Sequence, residues 1–393
     1  MRVKAKPAEP NLFGPRGSAY SLPSSYRPAP PRYLEVDRIF LAKGSLATAE
    51  RKKFVEGICA LYPKAEIIEC LDTPHNRIDL KQKEPLALFQ TGKRTLVFGE
   101  HQSAVRFAEE EGNTCPNYWH FSPYGFCPYG CKYCYLAGTP GVWHSPTVKI
   151  HVNLGEILRE MDRVAGRLTQ PTAFYLGKLQ DGLALDPLTA YSTVLAPFFA
   201  QSKFARQVIL TKSVEVERLL KLDHGGHTIL TWSVNPPEIV SRFEENTPPV
   251  ADRLEAMKKC VDHGYPVRAV LMPIIPTPGW QEIYARFILR LLGEVHLARL
   301  TLGGICIYQN ARRLMEQKLG PGNEISAAIG GEGKGPDGRV RYGPELRVKL
   351  YAEIINTVRT SKPNLEIALC LEEAPVWKAL RLEAARGRCN CVL

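Results

Sequence analysis

The chain has 393 residues and a formal net charge of +11, with 45% hydrophobic and 23% charged residues. This balance is typical of a globular protein and excludes global disorder, and no apolar run is long enough to span a membrane. The positive charge favours nucleic acid as a partner, because neutralised phosphates release counterions, although it also fits a basic protein without such a partner.

The first segment, residues 1–32, is rich in proline and carries six Lys and Arg residues against one Glu. This composition predicts an extended, flexible basic arm. The start has no apolar segment typical of a secretory signal, so we expect a cytoplasmic protein whose eleven cysteines stay reduced.

Residues 33–112 are expected to form a small α/β domain. Its predicted elements are strands Arg38–Ala42, Ala65–Cys70 and Thr95–Gly99 and a helix over Thr48–Tyr62. We place its boundary near 111–115.

Residues 113–372 alternate between predicted strands and helices. The strands are Tyr118–Ser122, Ala173–Gly177, Gln207–Thr211, Ile229–Val234, Val267–Met272 and Arg299–Ile305, and a later one is Glu366–Leu371. The helices are Leu154–Arg167, Pro187–Gln201, Val214–Lys221, Pro249–Gly264, Trp280–Leu292 and Glu345–Arg359. Such alternation predicts a parallel sheet with helical crossovers, here a partial (β/α)6 barrel of the TIM type. Residues 373–393 would add a short helix and a cysteine-containing tail.

The most informative motif is FCPYGCKYCYL, in which Cys127, Cys131 and Cys134 are spaced C-x3-C-x2-C. Three thiolates on one loop can bind three irons of a [4Fe–4S] cluster and leave the fourth iron open to another ligand. A zinc site with a distant fourth ligand, or three unrelated core cysteines, are the alternatives.

This motif, with an aromatic residue before its last cysteine, resembles the radical S-adenosylmethionine (radical SAM) superfamily. Further segments occur in the order found in the spore photoproduct lyase family, which the chain resembles over about residues 70–350. They are DTPHNR, TLVFGEHQSAVRF, CKYCYLAGT, LTKSVEVERLL, TWSVN, HGYPVRAVLMPI, GWQE and VRYG. The resemblance implies a radical SAM barrel that cleaves S-adenosyl-L-methionine reductively at a [4Fe–4S] cluster. The resulting 5′-deoxyadenosyl radical would abstract hydrogen from a thymine-dimer-type DNA lesion.

The resemblance also implies roles for residues at the predicted strand ends. Cys127, Cys131 and Cys134 would hold the cluster. Lys212 would bind the cofactor carboxylate, and Ser233 and Asn235 would also contact the cofactor, although strand-end capping is an alternative for these two.

Two tyrosines and one Arg-Tyr pair have counterparts in the family. Tyr133 and Tyr135 would relay a hydrogen atom, with packing around the cluster as the alternative. Arg341 and Tyr342 would grip the lesion, since Arg suits phosphate or a carbonyl and Tyr stacks on a base.

The sequence departs from the family at the cysteine that returns hydrogen to the product. That position falls on or near Lys178, and no cysteine lies between Cys134 and Cys260. We therefore predict that Cys389 or Cys391 in the tail donates the hydrogen, with Cys306 and Cys370 on late strands as other candidates. The alternative is that the substrate differs and Lys178 contacts it.

The predicted function is DNA-lesion repair by a radical SAM lyase, with an electron donor such as flavodoxin or ferredoxin and no membrane partner. Alternatives are the same cofactor chemistry on a modified nucleotide or a peptide, and a non-catalytic, metal-dependent nucleic-acid-binding module.

Overall fold

The computed structural model describes residue 22 and residues 26–109, 111–142, 144–330 and 334–393. Most of the predicted basic arm lies outside this part of the chain. So do residues 331–333 of the glycine-rich stretch near 320–343.

The described chain forms two main sheets and two short strand pairs. In chain order the strands are β1 (Arg38–Ala42), β2 (Glu66–Cys70), β3 (Thr95–Gly99), β4 (Val105–Ala108), β5 (Tyr118–Phe121), β6 (Tyr124–Gly125), β7 (Gly130–Cys131), β8 (Val148–His151), β9 (Thr172–Leu176), β10 (Ala205–Thr211), β11 (Thr228–Ser233), β12 (Glu244–Glu245), β13 (Val267–Leu271), β14 (Arg299–Leu302), β15 (Cys306–Ile307), β16 (Val340–Arg341) and β17 (Ile367–Leu369).

Twelve α-helices accompany these strands in the described residues. They are α1 (Ala49–Cys59), α2 (Pro85–Lys93), α3 (Leu154–Ala165), α4 (Asp186–Thr189), α5 (Ser192–Gln201), α6 (Pro237–Phe243), α7 (Val250–Asp262), α8 (Trp280–Glu294), α9 (Gln309–Leu319), α10 (Glu324–Ile329), α11 (Pro344–Ser361) and α12 (Ala374–Ala379). Short 3-10 helices cover Tyr135–Gly138, Leu219–Lys221 and Glu383–Ala385.

The larger sheet has the strand order β4-β5-β9-β10-β11-β13-β14-β17. All neighbours from β5 to β17 pair in parallel, and only β4 is antiparallel to β5. The strands follow one another in chain order, with helices in most connections. The sheet therefore has the expected open-barrel arrangement, extended to a seventh parallel strand by β17.

The strands of this sheet are apolar because both of their faces are covered. In β10 Val208 and Ile209 are buried and Leu210 is half-buried, and every residue of β11 is buried. Such continuous burial is typical of parallel strands packed against helices. Helix α3 buries Leu154, Ile157 and Met161 at helical spacing, so one face packs on the core.

The smaller sheet has the order β2-β1-β3-β8-β6. Strands β2, β1, β3 and β8 are parallel, and β6 is antiparallel to β8. Strands β6 and β8 of this sheet thus follow residue 113 in the sequence. The domain boundary predicted at 112/113 stays a prediction.

Two predicted helices differ from those observed. The helix over 187–201 is split into α4 and α5, because Ala190 adopts a left-handed φ of 51°. The Asp186 carboxylate accepts hydrogen bonds from Ser192 N and Oγ, which starts the second helix.

The predicted helix over 214–221 is reduced to the 3-10 turn at 219–221. Thr211 Oγ1 accepts from Ser213 N, and Ser213 Oγ accepts from Glu215 N. These side-chain bonds compete with helical ones, so the segment begins as a loop.

Candidate active site

The segment that we call the cluster loop, residues 126–138, lies at the carboxyl end of the barrel strands. Phe126 has a left-handed φ of 62° and forms a parallel bridge with Gln180, just after β9. Cys131 belongs to β7, where it pairs with Glu244 of β12. The loop is therefore held from two sides, by the segment after β9 and by β12.

The three cysteines of the motif influence one another electrostatically. Burial raises the pKa of the Cys127 thiol, and the neighbouring Cys134 and Cys131 act in the same direction. Burial also raises the pKa of Cys131 to about 11, although Lys212 opposes this shift. All three cysteines are free thiols.

The thiols of the cluster loop fit an iron–sulfur cluster by the chemistry of their donors. No group of three or more His, Cys, Asp or Glu side chains in the described part of the chain is arranged to hold a single metal ion. Each cysteine of a [4Fe–4S] cube binds its own iron, so the three sulfurs need not meet at one point. The buried Lys318 Nζ has no hydrogen-bond partner among the described residues, and cluster sulfide could accept from it.

Two lysines approach the cluster loop from the side of α2 and α9. Lys93 Nζ donates a hydrogen bond to the Cys127 carbonyl and lies 4.1 Å from the centre of the Phe126 ring. Lys318 Nζ lies 3.4 Å from the centre of the Phe89 ring. Burial lowers the pKa of Lys318 to about 8. The cluster loop therefore has two cations against it.

Lys212 follows β10 and extends toward the next strand end. Its Nζ donates to Ser233 Oγ at 2.8 Å, so two of the predicted cofactor contacts lie together. The Asp181 carboxylate accepts from the Lys212 backbone N at 2.7 Å and from Thr211 Oγ1 at 2.6 Å. Asp181 thereby fixes the backbone from which Lys212 extends.

A buried ionic network lies beside Lys212. The Glu244 carboxylate lies 2.7 Å from Arg253 Nη2 and 3.8 Å from Lys212 Nζ, and it also accepts a hydrogen bond from the Tyr133 hydroxyl. Burial opposes ionisation of Glu244, but Lys212 and Arg253 outweigh it and hold its pKa below the usual value. Burial likewise opposes the charged form of Lys212, yet Glu244 and Cys131 raise its pKa.

Asn235, the third predicted cofactor contact, is fully buried. Its Nδ2 donates to the Pro273 carbonyl at 3.2 Å, and its Oδ1 accepts from the Tyr284 hydroxyl at 3.1 Å. Both ends of the amide thus have protein partners, and its contact with a cofactor stays a prediction.

Tyr135 and Lys178 meet at the edge of the cluster loop. The Tyr135 hydroxyl donates to the Lys178 carbonyl at 2.5 Å, and the Tyr135 side chain is 43% exposed. Lys178 Nζ lies 5.1 Å from the centre of the Tyr118 ring. The position predicted on or near the family's hydrogen donor therefore carries an amine and adjoins a phenol.

The tail brings Cys389 and Cys391 together with two cysteines that are distant in sequence. The pKa of Cys389 is lowered because the thiols of Cys115 and Cys391 donate to its sulfur, and Cys391 N also donates to this sulfur at 3.4 Å. Cys370 acts on both Cys115 and Cys391. We call Cys115, Cys370, Cys389 and Cys391 the tail thiol set.

The tail packs into the larger sheet. Arg268 Nη1 donates to the Val392 carbonyl at 2.6 Å, and Arg299 Nη1 donates to the Cys389 carbonyl at 2.8 Å. Residues 391–393 pack on a buried cluster that includes Tyr118 and Tyr175. The tail thiol set also lies within electrostatic range of Tyr135, on which Cys391 and Cys370 both act.

The predicted lesion-binding pair is buried. Arg341 pairs with Asp337 and lies 3.5 Å from Glu373 Oε1, so its charge is balanced within the protein. Tyr342 is fully buried, and its hydroxyl has no hydrogen-bond partner among the described residues. A base could stack on Tyr342 only if the covering residues moved, and the role of this pair stays a prediction.

Sequence reasoning missed Glu244, Lys93 and Lys318. Each is a common charged residue on a helix end or short strand, with no motif around it. Their proximity to the cluster loop depends on contacts between residues that are distant in sequence. The only local signal was two adjacent glutamates at 244–245, which does not reveal that one of them is buried.

Comparison with known proteins identifies relatives of the chain. A family model described as Spore photoproduct lyase matches residues 37–305. The spore photoproduct lyase of Bacillus subtilis (strain 168) is 31% identical over 215 residues, which cover 54% of this chain and 61% of that protein. That of Geobacillus sp. (strain Y412MC61) is 29% identical over 254 residues, covering 63% of this chain and 72% of that protein. The match thus spans less than two thirds of the Bacillus protein.

Solved structures share the fold. Spore photoproduct lyase complexed with dinucleoside spore photoproduct superposes with a TM-score of 0.74 at 22% identity, covering 86% of this chain and all of that one (100%). A double mutant of spore photoproduct lyase with bound AdoMet and dinucleoside spore photoproduct gives 0.73 at 21% identity, covering 86% of this chain and 99% of that one. These likenesses confirm the predicted α/β fold with an open parallel barrel.

Proposed function

The chain belongs to the spore photoproduct lyase family, and from this premise we propose that it is a radical SAM lyase that repairs a thymine-dimer-type lesion in DNA. The observation that carries the proposal is the cluster loop, where Cys127 and Cys131 lie within electrostatic range of Lys212, whose ammonium donates to Ser233 at the neighbouring strand end. When bound, a [4Fe–4S] cluster and S-adenosyl-L-methionine would together supply a 5′-deoxyadenosyl radical for hydrogen abstraction.

Cys127, Cys131 and Cys134 would bind three irons of the cluster, and the cofactor would occupy the fourth. Lys212 is suited to the cofactor carboxylate because its ammonium already extends to Ser233. The Glu244 carboxylate keeps this ammonium charged, since it lies 3.8 Å away in a buried network. Asn235 would contribute from the end of the same strand as Ser233.

Tyr133 and Tyr135 differ in what they can do. The Tyr133 hydroxyl is buried and donates to Glu244, so it orients the ionic network. The Tyr135 hydroxyl lies at the exposed edge of the cluster loop, against the Lys178 carbonyl. Tyr135 is therefore the better placed of the two to give a hydrogen atom to a sulfur radical in the tail thiol set.

Cys391 is the donor that we choose from the tail thiol set, because it packs on the cluster of Tyr118 and Tyr175 and Lys178 lies over the Tyr118 ring. Its hydrogen bond to Cys389 raises the pKa of Cys391, so it keeps the S–H bond that hydrogen-atom transfer requires. The transfer breaks that S–H bond, forms a C–H bond on the product radical and leaves a sulfur-centred radical. The Tyr135 phenol can reduce this radical by giving up its own O–H hydrogen, which leaves a phenoxyl radical on Tyr135. One electron from the external electron donor and one proton from solvent would restore the phenol. Cys389 would assist by accepting the hydrogen bond that orients Cys391.

The net charge of +11 supports a DNA partner, and the solved relative bound to dinucleoside spore photoproduct supports the lesion. Lys178 would contact a phosphate or the lesion, and Arg341 and Tyr342 would grip the lesion after the residues over them move. A flavodoxin or ferredoxin would supply the electron. The described residues include no helix long and apolar enough to cross a membrane, and we propose a cytoplasmic enzyme on the basis of its free thiols.

A second candidate is the same chemistry on another substrate, such as a modified nucleotide or a peptide. The observation that favours it is Lys178, because an ammonium is a poor hydrogen-atom donor at the position where the family carries a thiol.

An anaerobic assay tests the proposal. The iron-reconstituted protein is mixed with dithionite, S-adenosyl-L-methionine and dinucleoside spore photoproduct, and undamaged dithymidine serves as the matched control substrate. We expect 5′-deoxyadenosine and repaired dithymidine from the lesion. Cleavage of the cofactor without repair would move the proposal to the second candidate, and no cleavage at all would contradict both.

A further inference from the structure

Helix α9 presents one face to the cluster loop. A Cβ on Gly138 would lie 2.2 Å from Ala311 N, so the helix and the 3-10 turn touch at the backbone. Leu314, one turn later, belongs to a buried cluster with Phe126, and Cys127 and Cys134 pack against that cluster. Lys318 lies seven residues after Ala311, which returns it to the same face.

Lys318 reaches this interface with its ammonium and finds no hydrogen-bond partner. Its Nζ is buried and has no acceptor among the described residues. The Phe89 ring, 3.4 Å from Nζ, contacts it only through its π face. A buried ammonium without an acceptor is costly, so the position implies that an acceptor arrives with a ligand.

Lys93 supports this interpretation by contrast. Its ammonium touches the same Phe89 ring, at 4.9 Å, but it is satisfied by the Cys127 carbonyl. One lysine therefore holds the backbone of the cluster loop, while the buried ammonium of the other has no acceptor in the described part of the chain. Cys134 and Cys131 are the sulfurs that act electrostatically on Lys318.

We propose that Lys318 donates a hydrogen bond to a sulfur of the bound cluster and raises the cluster's reduction potential. The proposal rests on the proposed function, because it requires the cluster to be present. The alternative role for Lys318 is packing on the Phe89 ring alone, in which case its charge has no effect on the reduction potential of the cluster.

The direction of the effect follows from charge. Reduction adds one negative charge to the cluster, and a cation or N–H donor beside it stabilises the reduced state more than the oxidised state. A cluster that is easier to reduce makes less demand on the electron donor.

The experiment is a potentiometric titration of the reconstituted protein followed by electron paramagnetic resonance, without substrate or S-adenosyl-L-methionine. Lys318→Met removes the charge and the donor, and Lys318→Arg keeps both. Arg313→Met, on the exposed side of the same helix, is the control because it removes one charge from α9 without touching the cluster loop. Iron content and thermal unfolding are measured for every variant.

We expect Lys318→Met to lower the equilibrium constant for reduction of the cluster by about tenfold. For a one-electron couple this makes the midpoint potential about 59 mV more negative. Lys318→Arg and Arg313→Met should stay near the parent value. An unshifted Lys318→Met protein with full iron content would overturn the inference. If Lys318→Met loses its iron, Lys318→Gln is titrated in its place. We expect a smaller negative shift of the midpoint potential for this variant, and an unshifted potential would contradict the inference. Absence of a cluster from the parent protein would instead contradict the proposed function.

Discussion

The cluster loop and the C-terminal tail both bring thiols to Tyr135, but they are built differently. In the cluster loop, Cys131 and Cys134 are close in sequence, and the loop packs beside a buried, fully paired ionic network. In the tail, Cys389 and Cys391 meet Cys115 and Cys370 from two distant segments, and arginines bind the tail through its carbonyls. In our proposal, the cluster loop binds the cofactor and the tail thiol set returns the hydrogen.

Removal of the cluster ligands tests the first half of this division and carries the largest expected effect. Cys131→Ala should abolish iron binding and reduce cofactor cleavage to background, since the cluster has no spare protein ligand in the loop. Iron analysis and 5′-deoxyadenosine chromatography check it. Cys70→Ala, at a half-buried thiol on β2, is the control. A Cys131→Ala protein with normal iron would assign the cluster to other residues.

Breaking the ionic network beside the loop should destabilise the protein strongly. Glu244→Gln leaves Lys212 and Arg253 buried without their counter-charge, and we expect a loss of roughly 3–5 kcal/mol in the free energy of unfolding. Glu245→Gln, at the exposed neighbour that pairs with Lys132 at 2.7 Å, should lose less than about 1 kcal/mol. Chemical denaturation measures both, and equal losses would contradict the difference in burial.

The same network sets a pH dependence. The folded state holds the pKa of Glu244 below the usual 4.5, so the unfolded chain binds its proton first as pH falls. The stabilisation from Glu244 is therefore complete above that ordinary value and is lost as pH falls through the lowered folded-state pKa. Glu244→Gln should therefore reduce the loss of unfolding free energy as pH falls below 4.5. An unchanged pH dependence in this variant would mean that other carboxyl groups cause the loss.

Removal of the tail thiols tests the second half of the division. Cys389→Ala combined with Cys391→Ala should leave cofactor cleavage intact but shift products away from repaired dithymidine by about tenfold, a barrier change of about 1.4 kcal/mol. Cys260→Ala, at a buried thiol on α7, is the control. Unchanged product purity in the double variant would remove the tail from the mechanism.

Placing a thiol at the position predicted for the family's hydrogen donor should give the smallest effect. Lys178→Cys places an S–H beside the Tyr135 hydroxyl, which donates to the backbone at this position. If the tail already supplies hydrogen, Lys178→Cys should improve repair by less than about tenfold when the tail is intact. In the variant that lacks both tail thiols, the same substitution should restore repair. Product ratios from both backgrounds measure it. No recovery in the tail variant would favour a different substrate.

Most of the barrel could be predicted from the sequence, because parallel strands are continuous apolar runs. The run Ile229–Val234 identified β11, and the close spacing of Cys127, Cys131 and Cys134 identified the cluster loop. Family membership is confirmed. The segment after β10 was predicted as a helix and is largely a loop, since hydrogen bonds of Thr211 and Ser213 compete with helical ones.

The rest of the site depends on contacts that sequence patterns do not encode. Glu244 lies on β12, which pairs with Cys131 of the cluster loop, and Lys318 lies on α9, which packs against the 3-10 turn of that loop. Cys115 and Cys370 join the tail from segments far apart in sequence. The roles proposed for Asn235, Arg341 and Tyr342 stay predictions, since their side chains already contact other protein groups.

The measurement that tests the central claim most directly is the repair assay run in D2O. Thiol hydrogens exchange with solvent, so hydrogen returned from the tail should appear as deuterium in the product. We predict repaired dithymidine carrying deuterium from the parent protein, and loss of that product when Cys389 and Cys391 are both replaced by Ala. Cofactor cleavage that leaves the dinucleoside spore photoproduct unchanged would contradict the proposed function, and repaired product without deuterium would contradict the thiol donor.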